Sequence, residues 1–300
     1  MVRATSNLLH LASPHIERCV GDVTEPASLR RAVTGIDRVF HCAAVVSDWG
    51  DPAVFRAVNV TGTELLLGAA LSAGVKKFVH VSTTDVYGHP GHMVTEDAPY
   101  RYRGWPYGDT KIDGEKLAWE YAGRGLPLTV IRPATVYGPR SVIVTEIAKL
   151  LKQREMVFIG KGDINAGLCH VDNLVAALLL AGRPEAGLGR AYNLVDGLNV
   201  TWEEFTNRLA AILELDPVQR WIPRRLAYIA GWTLESWGRV FKQSSRPLLT
   251  RMAVELLGTP QSFSNERARR DLGWEPTVGF DGAMQAMQPW IRSLASSPSS

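Results

Sequence analysis

The sequence predicts an α/β protein in which a doubly wound parallel sheet is joined to a smaller, mainly helical lobe. Three observations carry this prediction. Short apolar runs alternate with helical patterns through the first half of the chain, which is typical of repeated strand-helix units. From residue 201 onward the pattern is mostly helical. The 300 residues are 46% hydrophobic and 21% charged, as in an ordinary globular protein.

The strand-helix alternation extends to residue 135. Pro26 suits the first turn of the first helix. Pro52 lies near the start of the second helix, and Gly74 lies just past its end. A segment rich in Gly, Pro, His and Tyr over 88–105 predicts a loop. The predicted strands are 16–20, 38–44, 77–82 and 128–135, and the predicted helices are 26–33, 51–73 and 107–121.

The second half begins after Gly138-Pro139. Thr201 suits a helix N-cap, and Glu204 three residues later completes a capping box. The short polar segment 296–300 predicts a disordered tail. Strands are predicted at 156–160 and 191–195, and helices at 142–153, 172–181, 202–214, 223–242, 247–257, 263–271 and 280–294.

Composition excludes several classes of function. A net charge of +3 gives no reason to expect nucleic-acid binding. Cys19, Cys42 and Cys169 are far apart and lack metal-ligand spacing, so we expect reduced thiols and a cytoplasmic location. The first residues lack a signal-peptide pattern, and no uninterrupted apolar run approaches the roughly 18 residues of a membrane span.

Tyr107 and Lys111 are the most informative residues of the chain. Four residues apart, they share one face of a predicted helix. A Lys ammonium beside a phenol favours the phenolate form. This pair is therefore suited to general acid/base catalysis at a carbinol oxygen while a hydride moves elsewhere.

Other short motifs surround this pair in a defined order. They are GDV at 21–23, HCAA at 41–44, NVTGT at 59–63, VSTTDVYG at 81–88, YGDTK at 107–111, RPATVYG at 132–138 and HVDN at 170–173. Any one of them is weak evidence, but the seven together resemble the extended short-chain dehydrogenase/reductase family, the NAD-dependent epimerase/dehydratase group. The match spans about residues 2–295 and looks closest to members similar to 3β-hydroxysteroid dehydrogenase.

The resemblance implies a Rossmann-like fold and a role for each motif. Tyr107 would be the catalytic acid/base, Lys111 its activator and a ligand of the nicotinamide ribose, and Thr83 the hydroxyl that holds the substrate oxygen. Asn59 would brace the sheet near the site, and Asp172 would fasten the two lobes. The implied cofactor-binding residues are Asp22 and Val23 at the adenine, Ala43 and Ala44 beside the cofactor, Ser82, and Pro133 and Val136 at the nicotinamide, together with Tyr107 and Lys111.

The chain departs from the family pattern at its start. The family opens with a strand, a G-x-x-G-x-x-G turn and a helix whose N-terminus holds the pyrophosphate. Residues 1–7 instead resemble the end of the second strand, so the sheet is expected to lack its first strand and helix. A misplaced start or a fragment would explain this, and a truncated, non-catalytic binding protein is the alternative.

The expected cofactor is NAD or NADP. Members that prefer NAD usually carry an acidic residue after the second strand, where it bonds the ribose 2′-hydroxyl. This chain has Arg3 and Ser6 in that region and no acidic residue before Glu17. Because an Arg pairs with a 2′-phosphate, the sequence leans toward NADP, although a solvated Arg3 is an equally simple interpretation.

The expected reaction is the reversible oxidation of a secondary alcohol on an apolar, sterol- or terpenoid-like substrate. Sugar-nucleotide 4,6-dehydratases carry adjacent Asp and Glu after the catalytic Thr, whereas Thr84 and Asp85 occupy those places here. A nucleotide-sugar 4-epimerase remains an alternative, because it shares the catalytic residues. His89 and His92 are expected to be solvated loop histidines, and His170 to serve packing.

An apolar stripe in the helical lobe carries the substrate prediction. Leu226, Ile229, Ala230, Leu234, Trp237, Val240 and Phe241 recur at helical spacing, flanked by Arg224, Arg225 and Arg239. The segment 221–241 could line an apolar substrate pocket, form core or dimer packing, or touch a membrane surface. A homodimer through the helices 51–73 and 107–121 is also expected.

The predicted domains follow from these assignments. Residues 1–140 and 168–198 form the NAD(P)-binding domain, and residues 141–167 and 199–295 form the substrate lobe.

Overall fold

A computed structural model describes residues 1–11, 13–241, 243 and 245–296 of the chain. The chain divides into two compact units. Unit 1 comprises Met1–Ser82, Tyr102–Ile131 and Ala181–Ala191, and unit 2 comprises Thr83–Arg101, Arg132–Leu180 and Tyr192–Ser300.

Strands and helices alternate as far as the middle of the chain. The strands are β1 (Arg38–His41), β2 (Lys77–Val81), β3 (Leu128–Pro133), β4 (Thr135–Tyr137), β5 (Phe158–Ile159), β6 (Leu168–His170), β7 (Arg190–Leu194) and β8 (Trp221–Ile222). The α-helices are α1 (Pro26–Val33), α2 (Pro52–Phe55), α3 (Thr63–Ala73), α4 (Pro106–Gly123), α5 (Val142–Lys152), α6 (Val171–Ala181), α7 (Trp202–Ile212), α8 (Arg224–Val240), α9 (Arg251–Gly258), α10 (Glu266–Leu272) and α11 (Phe280–Ser296). Shorter turns are 3-10 helical at Leu9–Leu11 and Thr84–Tyr87 and π-helical at Arg56–Gly62.

The main sheet has four strands in the order β1-β2-β3-β7. β1 pairs with β2 in parallel from Arg38↔Lys77 to His41↔His80, and β2 pairs with β3 in parallel. The predicted α/β class with a parallel sheet is confirmed. The strand predicted over 16–20 is wrong: only Val20 pairs, in an isolated parallel bridge with Val2, and the residues just before it lie outside the named strands.

The helices α1, α3 and α4 pack around the apolar core of unit 1. Its buried members include Val23, Leu29, Leu67, Phe78, Ala118, Leu128 and Val130. The helical run Pro52–Ala73 begins where the Asp51 carboxylate accepts a hydrogen bond from the Ala53 N–H and ends at left-handed Gly74. This run is long and apolar enough to cross a membrane by length and composition alone, a test that core helices also pass.

Unit 2 has a separate core formed by α5, α7 and α11. Its largest buried members include Tyr137, Phe158, Trp202, Phe205 and Phe280. Two small parallel pairs, β4 with β6 and β5 with β8, lie in this unit. Thr201 caps α7 as predicted, because its hydroxyl accepts a hydrogen bond from the Glu204 N–H.

The compact units divide the chain differently from the predicted domains. Residues 83–101, 132–140, 168–180 and 192–198, predicted to belong to the cofactor domain, lie in unit 2. The assignment of cofactor binding and substrate binding to those domains stays a prediction. Of the predicted disordered tail, Ser296 is instead the last residue of α11, and 297–300 lie outside the described residues.

Candidate active site

Lys111 is buried in unit 1, on the inner face of α4. Its Nζ donates a hydrogen bond of 2.7 Å to the carbonyl oxygen of Val81, the last residue of β2. Burial lowers the pKa of Lys111 to about 8, against the opposing effect of the nearby Glu115 carboxylate. The ammonium is therefore held at the carboxyl end of the sheet, where parallel α/β folds bind their ligands.

Tyr107 lies one turn before Lys111 on the same helix and is also buried. The helix begins at Pro106, which is suited to the first position because it has no N–H to satisfy. Asp109 holds the preceding loop, since its carboxylate accepts hydrogen bonds from the N–H groups of Arg103 and Gly104. The predicted spacing thus places a phenol and an ammonium on one buried face.

Asn59, expected to brace the sheet, instead bonds this helix and the loop after β1. Its amide exchanges two hydrogen bonds with the backbone of Val45, in the loop after β1, and its Nδ2 donates to Thr110 Oγ1 at 3.1 Å. Asn59 lies in the π-helical turn, a local widening that is often found at functional sites. The turn thereby links the loop after β1 to the residue next to Lys111.

Two buried histidines near Lys111 were missed by the sequence analysis. His41 and His80 are paired in register on β1 and β2, with ring centroids 5.5 Å apart. His41 Nε2 contacts Thr63 Oγ1 at 2.9 Å. Burial and the Lys111 ammonium lower the pKa of His41 to about 3 and that of His80 well below its usual value. Both rings are therefore neutral at pH 7.

Ser82 follows β2 directly and is buried. Its hydroxyl has no hydrogen-bond partner among the described residues, so it is a polar group suited to receive a ligand. After β1, Ala43 is exposed and Ala44 half-buried, which leaves room for a ligand close to the backbone. These residues and Lys111 fit the ribose and nicotinamide end of a dinucleotide.

The adenine end of such a cofactor finds fewer partners. The Asp22 carboxylate accepts hydrogen bonds from the backbone N–H and the hydroxyl of Thr24. These hydrogen bonds, with a smaller contribution from Arg3, lower the pKa of Asp22. The Val23 side chain packs in the core against Gly62, where no Cβ would fit. The chain has no three glycines in the pattern of a pyrophosphate-binding turn, so the fit is confined to the other end.

Thr83 begins unit 2 and is buried. Its hydroxyl accepts a hydrogen bond from the Asp85 N–H and so caps the 3-10 turn Thr84–Tyr87. Of the two residues predicted at the nicotinamide, Pro133 is buried at the end of β3 and Val136 is half-buried on β4.

A buried polar network holds the segment after Thr83 in place within unit 2. The Tyr87 hydroxyl donates to Asn193 Oδ1 at 2.8 Å and accepts from Arg132 Nη1. Arg132 also donates to the Glu96 carbonyl, and the Glu96 carboxylate accepts from the Asn193 N–H. The sequence analysis did not identify this network, because its members are up to 106 residues apart in the chain.

Two expectations are corrected within unit 2, and one of the alternatives left open for the stripe on α8 is removed. His89 is buried, not solvated, because it contacts Asp85 at 3.1 Å and Gln261 at 2.7 Å; His92 is exposed as expected. Burial disfavours the charge of His89, but the bond to Asp85 raises its pKa. Asp172, expected to fasten the lobes, has a largely exposed carboxylate. The apolar stripe on α8 is also mostly exposed, so it is not core.

The residue that does fasten distant segments is Asn173. Its Nδ2 donates to Asp196 Oδ1 and to the Val278 carbonyl, and its Oδ1 accepts from the N–H groups of Thr277 and Val278. His170 is buried as predicted and packs edge-on against Tyr137.

The family model described as "NAD dependent epimerase/dehydratase family" matches residues 2–194. The chain belongs to the NAD-dependent epimerase/dehydratase family. Its Rossmann-type α/β fold and its class, the extended short-chain dehydrogenases/reductases, are thereby confirmed.

Relatives in this family include a 2-alkyl-3-oxoalkanoate reductase from Stenotrophomonas maltophilia, 28% identical over 279 residues that cover 89% of this chain and 84% of the relative. A 3 beta-hydroxysteroid dehydrogenase/Delta 5-->4-isomerase from Mycobacterium tuberculosis is 32% identical over 303 residues, which cover 94% of this chain and 81% of the relative. A human sterol-4-alpha-carboxylate 3-dehydrogenase is 28% identical over 295 residues, covering 94% and 79%.

Solved structures of other proteins have the same fold. The crystal structure of gox2253 matches with a TM-score of 0.79 at 26% identity, covering 97% of this chain and 89% of that chain. A dTDP-glucose 4,6-dehydratase from Streptomyces venezuelae, DesIV, solved with NAD bound, matches with a TM-score of 0.75 at 25% identity, covering 96% and 84%. The cofactor of the family is thus NAD.

Proposed function

We propose that this protein is an NAD(P)-dependent oxidoreductase that interconverts a secondary alcohol and a ketone on an apolar substrate. The observation that carries the proposal is the buried pair Tyr107 and Lys111 on one face of α4, with the ammonium hydrogen-bonded to Val81 at the carboxyl end of β2. A structural helix has no need to bury a lysine at that cost in hydration.

The substrate class rests on the printed names of the relatives. They act as a 2-alkyl-3-oxoalkanoate reductase, a 3 beta-hydroxysteroid dehydrogenase and a sterol-4-alpha-carboxylate 3-dehydrogenase. All three names describe an oxygen-bearing carbon on a largely apolar skeleton. The proposed substrate is therefore a β-ketoacyl compound or a compound with a sterol-like ring.

In the proposed mechanism, Tyr107 moves the proton. Lys111 keeps a positive charge beside the phenol, which favours the phenolate as the alcohol gives up its proton. The resemblance to the family implies that Thr83 would hold the substrate oxygen by a hydrogen bond. Lys111 and Ser82 would hold the ribose end of the cofactor, and the cofactor would supply the hydride exchange when bound.

The choice between NAD and NADP rests on Arg3. Its charge makes a small contribution to the lowered pKa of Asp22, the first predicted adenine contact. An arginine there pairs with the 2′-phosphate of NADP, and this supports a preference for NADP. Comparing the Kd values of the two cofactors for the wild-type protein and for Arg3→Ala tests this preference.

Dehydration of a nucleotide sugar is disfavoured by the residues after Thr83. Thr84 is buried, and the Asp85 carboxylate contacts His89 Nε2 at 3.1 Å. A carboxylate engaged in this way is a poor acid for expelling water. The nucleotide-sugar 4-epimerase alternative is tested by incubation with UDP-glucose, because epimerisation gives no net change in nicotinamide absorbance.

Two further properties are proposed with this function. The three cysteines are unpaired, which favours a cytoplasmic location. A homodimer through the helical runs 52–73 and 106–123 is the proposed assembly, and light scattering of the purified protein tests it.

The first prediction concerns Tyr107→Phe. This change removes the hydroxyl and keeps the ring, so we expect turnover of a 3-oxoacyl or 3β-hydroxysteroid substrate to fall by about 10²–10⁴-fold. The cofactor Kd should change little. The measurement is the nicotinamide absorbance at saturating substrate.

Tyr121→Phe is the matched control, because Tyr121 is another buried tyrosine on α4. It should retain most of the wild-type turnover. Equal turnover in wild type and Tyr107→Phe would exclude Tyr107 as the acid/base.

A further inference from the structure

The helix α8 presents its small residues inward and its large apolar residues outward. The buried face consists of Ala227, Gly231, Glu235 and Gly238. At Gly231, an added Cβ would lie 3.1 Å from the Thr250 backbone, so α8 packs closely on the chain that leads into α9. The close approach at Gly231 therefore leaves no room for a larger side chain at that position.

The outward face of α8 forms an apolar stripe. Leu226, Ile229, Trp237 and Val240 lie at helical spacing, and each is at least 60% exposed. Phe241 extends the stripe, with its ring centroid 5.6 Å from that of Trp237. Isolated apolar side chains on a surface are common, but a contiguous stripe of this size marks an interaction surface.

Two hydroxyl groups on the outward side of this helix, those of Thr233 and Ser236, are already satisfied. Thr233 Oγ1 donates to the Ile229 carbonyl at 2.9 Å, and Ser236 Oγ donates to the Trp232 carbonyl at 2.7 Å. Both bonds run to the residue four positions earlier on the same helix. Neither hydroxyl donor therefore depends on water, so the face can enter an apolar medium at little cost.

The charges around the stripe are positive. The segment 221–251 contains six Arg and Lys residues and one acidic residue, Glu235. That carboxylate is buried and paired with Arg251, and the neighbouring Glu255 is buried and paired with Arg224. Arg225, Trp232 and Arg239 are spaced seven residues apart, so they form an exposed basic edge beside the apolar stripe.

We propose that α8 binds the surface of an anionic lipid bilayer, lying in the plane of the headgroups with the apolar stripe inserted. An exposed helix face of Leu, Ile, Trp and Phe beside arginines is the chemistry of interfacial helices. Arginines near the surface attract anionic lipid headgroups. A two-fold dimer through this face would bring the basic edges of the two copies, with Arg225 and Arg239, toward each other, which favours the lipid surface over a second copy. The inference is independent of the proposed reaction.

The experiment is co-sedimentation of the full chain with phosphatidylcholine vesicles, with and without about 30% phosphatidylglycerol. We expect the partition coefficient to be about tenfold higher on the anionic vesicles, and to fall at high salt because the charges are screened. Leu226→Glu should lower binding about tenfold by placing a carboxylate in the inserted face. Leu179→Glu is the matched control, because Leu179 is an exposed leucine on α6, outside the stripe.

Three results would overturn the proposal. The first is no sedimentation with either vesicle, and the second is equal binding by wild type and Leu226→Glu. The third is an oligomer that forms without vesicles and dissociates in Leu226→Glu, because it would assign the stripe to a second copy. Circular dichroism checks that both variants fold, and quenching of tryptophan fluorescence by brominated lipids confirms insertion of the stripe.

Discussion

At the scale of single residues, Lys111 is the cation around which the unit 1 site is arranged. Its Nζ bonds the Val81 carbonyl, and its charge lowers the pKa of both His41 and His80. Burial acts in the same direction on all three groups, since it favours the neutral form of a base. The lowered pKa of Lys111, about 8, is still above neutral pH, whereas the lowered pKa values of the two histidines are below it. Of these three groups, only Lys111 is therefore charged at pH 7.

The acid sensitivity of the fold provides a prediction for His41. The pKa of His41 is about 3 in the folded chain and about 6.5 in the unfolded chain, so below pH 6.5 the unfolded chain takes up a proton that the folded chain does not. Stability is therefore lost as the pH falls through 6.5. Between pH 7 and pH 5 the loss from His41 is about 2 kcal/mol.

Urea denaturation of wild type and His41→Gln at both pH values measures this loss. The difference between the two proteins isolates the His41 contribution, because other titrating groups such as Asp196 are common to both. We expect the variant to lose about 2 kcal/mol less than wild type. His15→Gln, a change at an exposed histidine, is the control and should lose as much unfolding free energy as the wild type. An equal loss of unfolding free energy between pH 7 and pH 5 in His41→Gln and wild type would contradict a buried, neutral His41.

At the scale of elements, the π-helical turn Arg56–Gly62 and α4 approach each other closely. A Cβ added to Gly114 would lie 2.5 Å from the Asn59 carbonyl oxygen. Asn59 bonds Thr110 in the same contact. The absence of a side chain at Gly114 therefore lets the two elements approach, and Asn59 fixes their register one residue before Lys111.

Gly114→Ala tests this close approach. The added methyl group must push α4 from the turn, which should lower the free energy of unfolding by about 1–3 kcal/mol. Turnover should fall too, since Lys111 moves with the helix. Gly123→Ala is the control on the same helix, where an added Cβ meets open space; it should be neutral or stabilise by up to about 1 kcal/mol. A Gly114→Ala variant as stable as Gly123→Ala would contradict the close approach of α4 to the turn.

At the scale of the whole molecule, each compact unit has its own apolar core, and unit 2 is assembled from distant segments. The single side chain of Asn173 bonds residues at 196, 277 and 278. Its backbone carbonyl accepts a hydrogen bond from Trp274 Nε1. These bonds close a loop of about a hundred residues that contains α7, α8 and α9.

Asn173→Ala should therefore be one of the more destabilising single changes in unit 2. It leaves the backbone N–H groups of Thr277 and Val278 without their acceptor in a partly buried place. We expect a loss of about 3–5 kcal/mol, since each unsatisfied buried group costs about 1–3 kcal/mol. Asp172→Ala, at the exposed neighbouring residue, should change stability by less than about 0.5 kcal/mol. Chemical denaturation of both variants measures these losses. Equal denaturation midpoints for Asn173→Ala and Asp172→Ala would contradict the fastening role of Asn173.

Local patterns in the sequence were sufficient to predict the fold class and the shared helix face of Tyr107 and Lys111. The alternation of strands and helices predicted the parallel sheet, because period and capping residues act over a few positions. The four-residue spacing of Tyr107 and Lys111 predicted their common face for the same reason. The predicted strand over 16–20 was wrong because a strand needs a paired neighbour, and of this segment only Val20 has one in the described structure.

The tertiary structure alone decided which side chains are buried and what they contact. The sequence analysis gave the fastening role to Asp172 and treated His89 as solvated, whereas Asn173 and His89 hold the buried contacts. It also left the stripe on α8 undecided between core, pocket and surface. Helical periodicity identifies which residues share a face, but it does not say which face the rest of the chain covers. In α8 the chain packs against the glycines, and the large apolar residues stay outside.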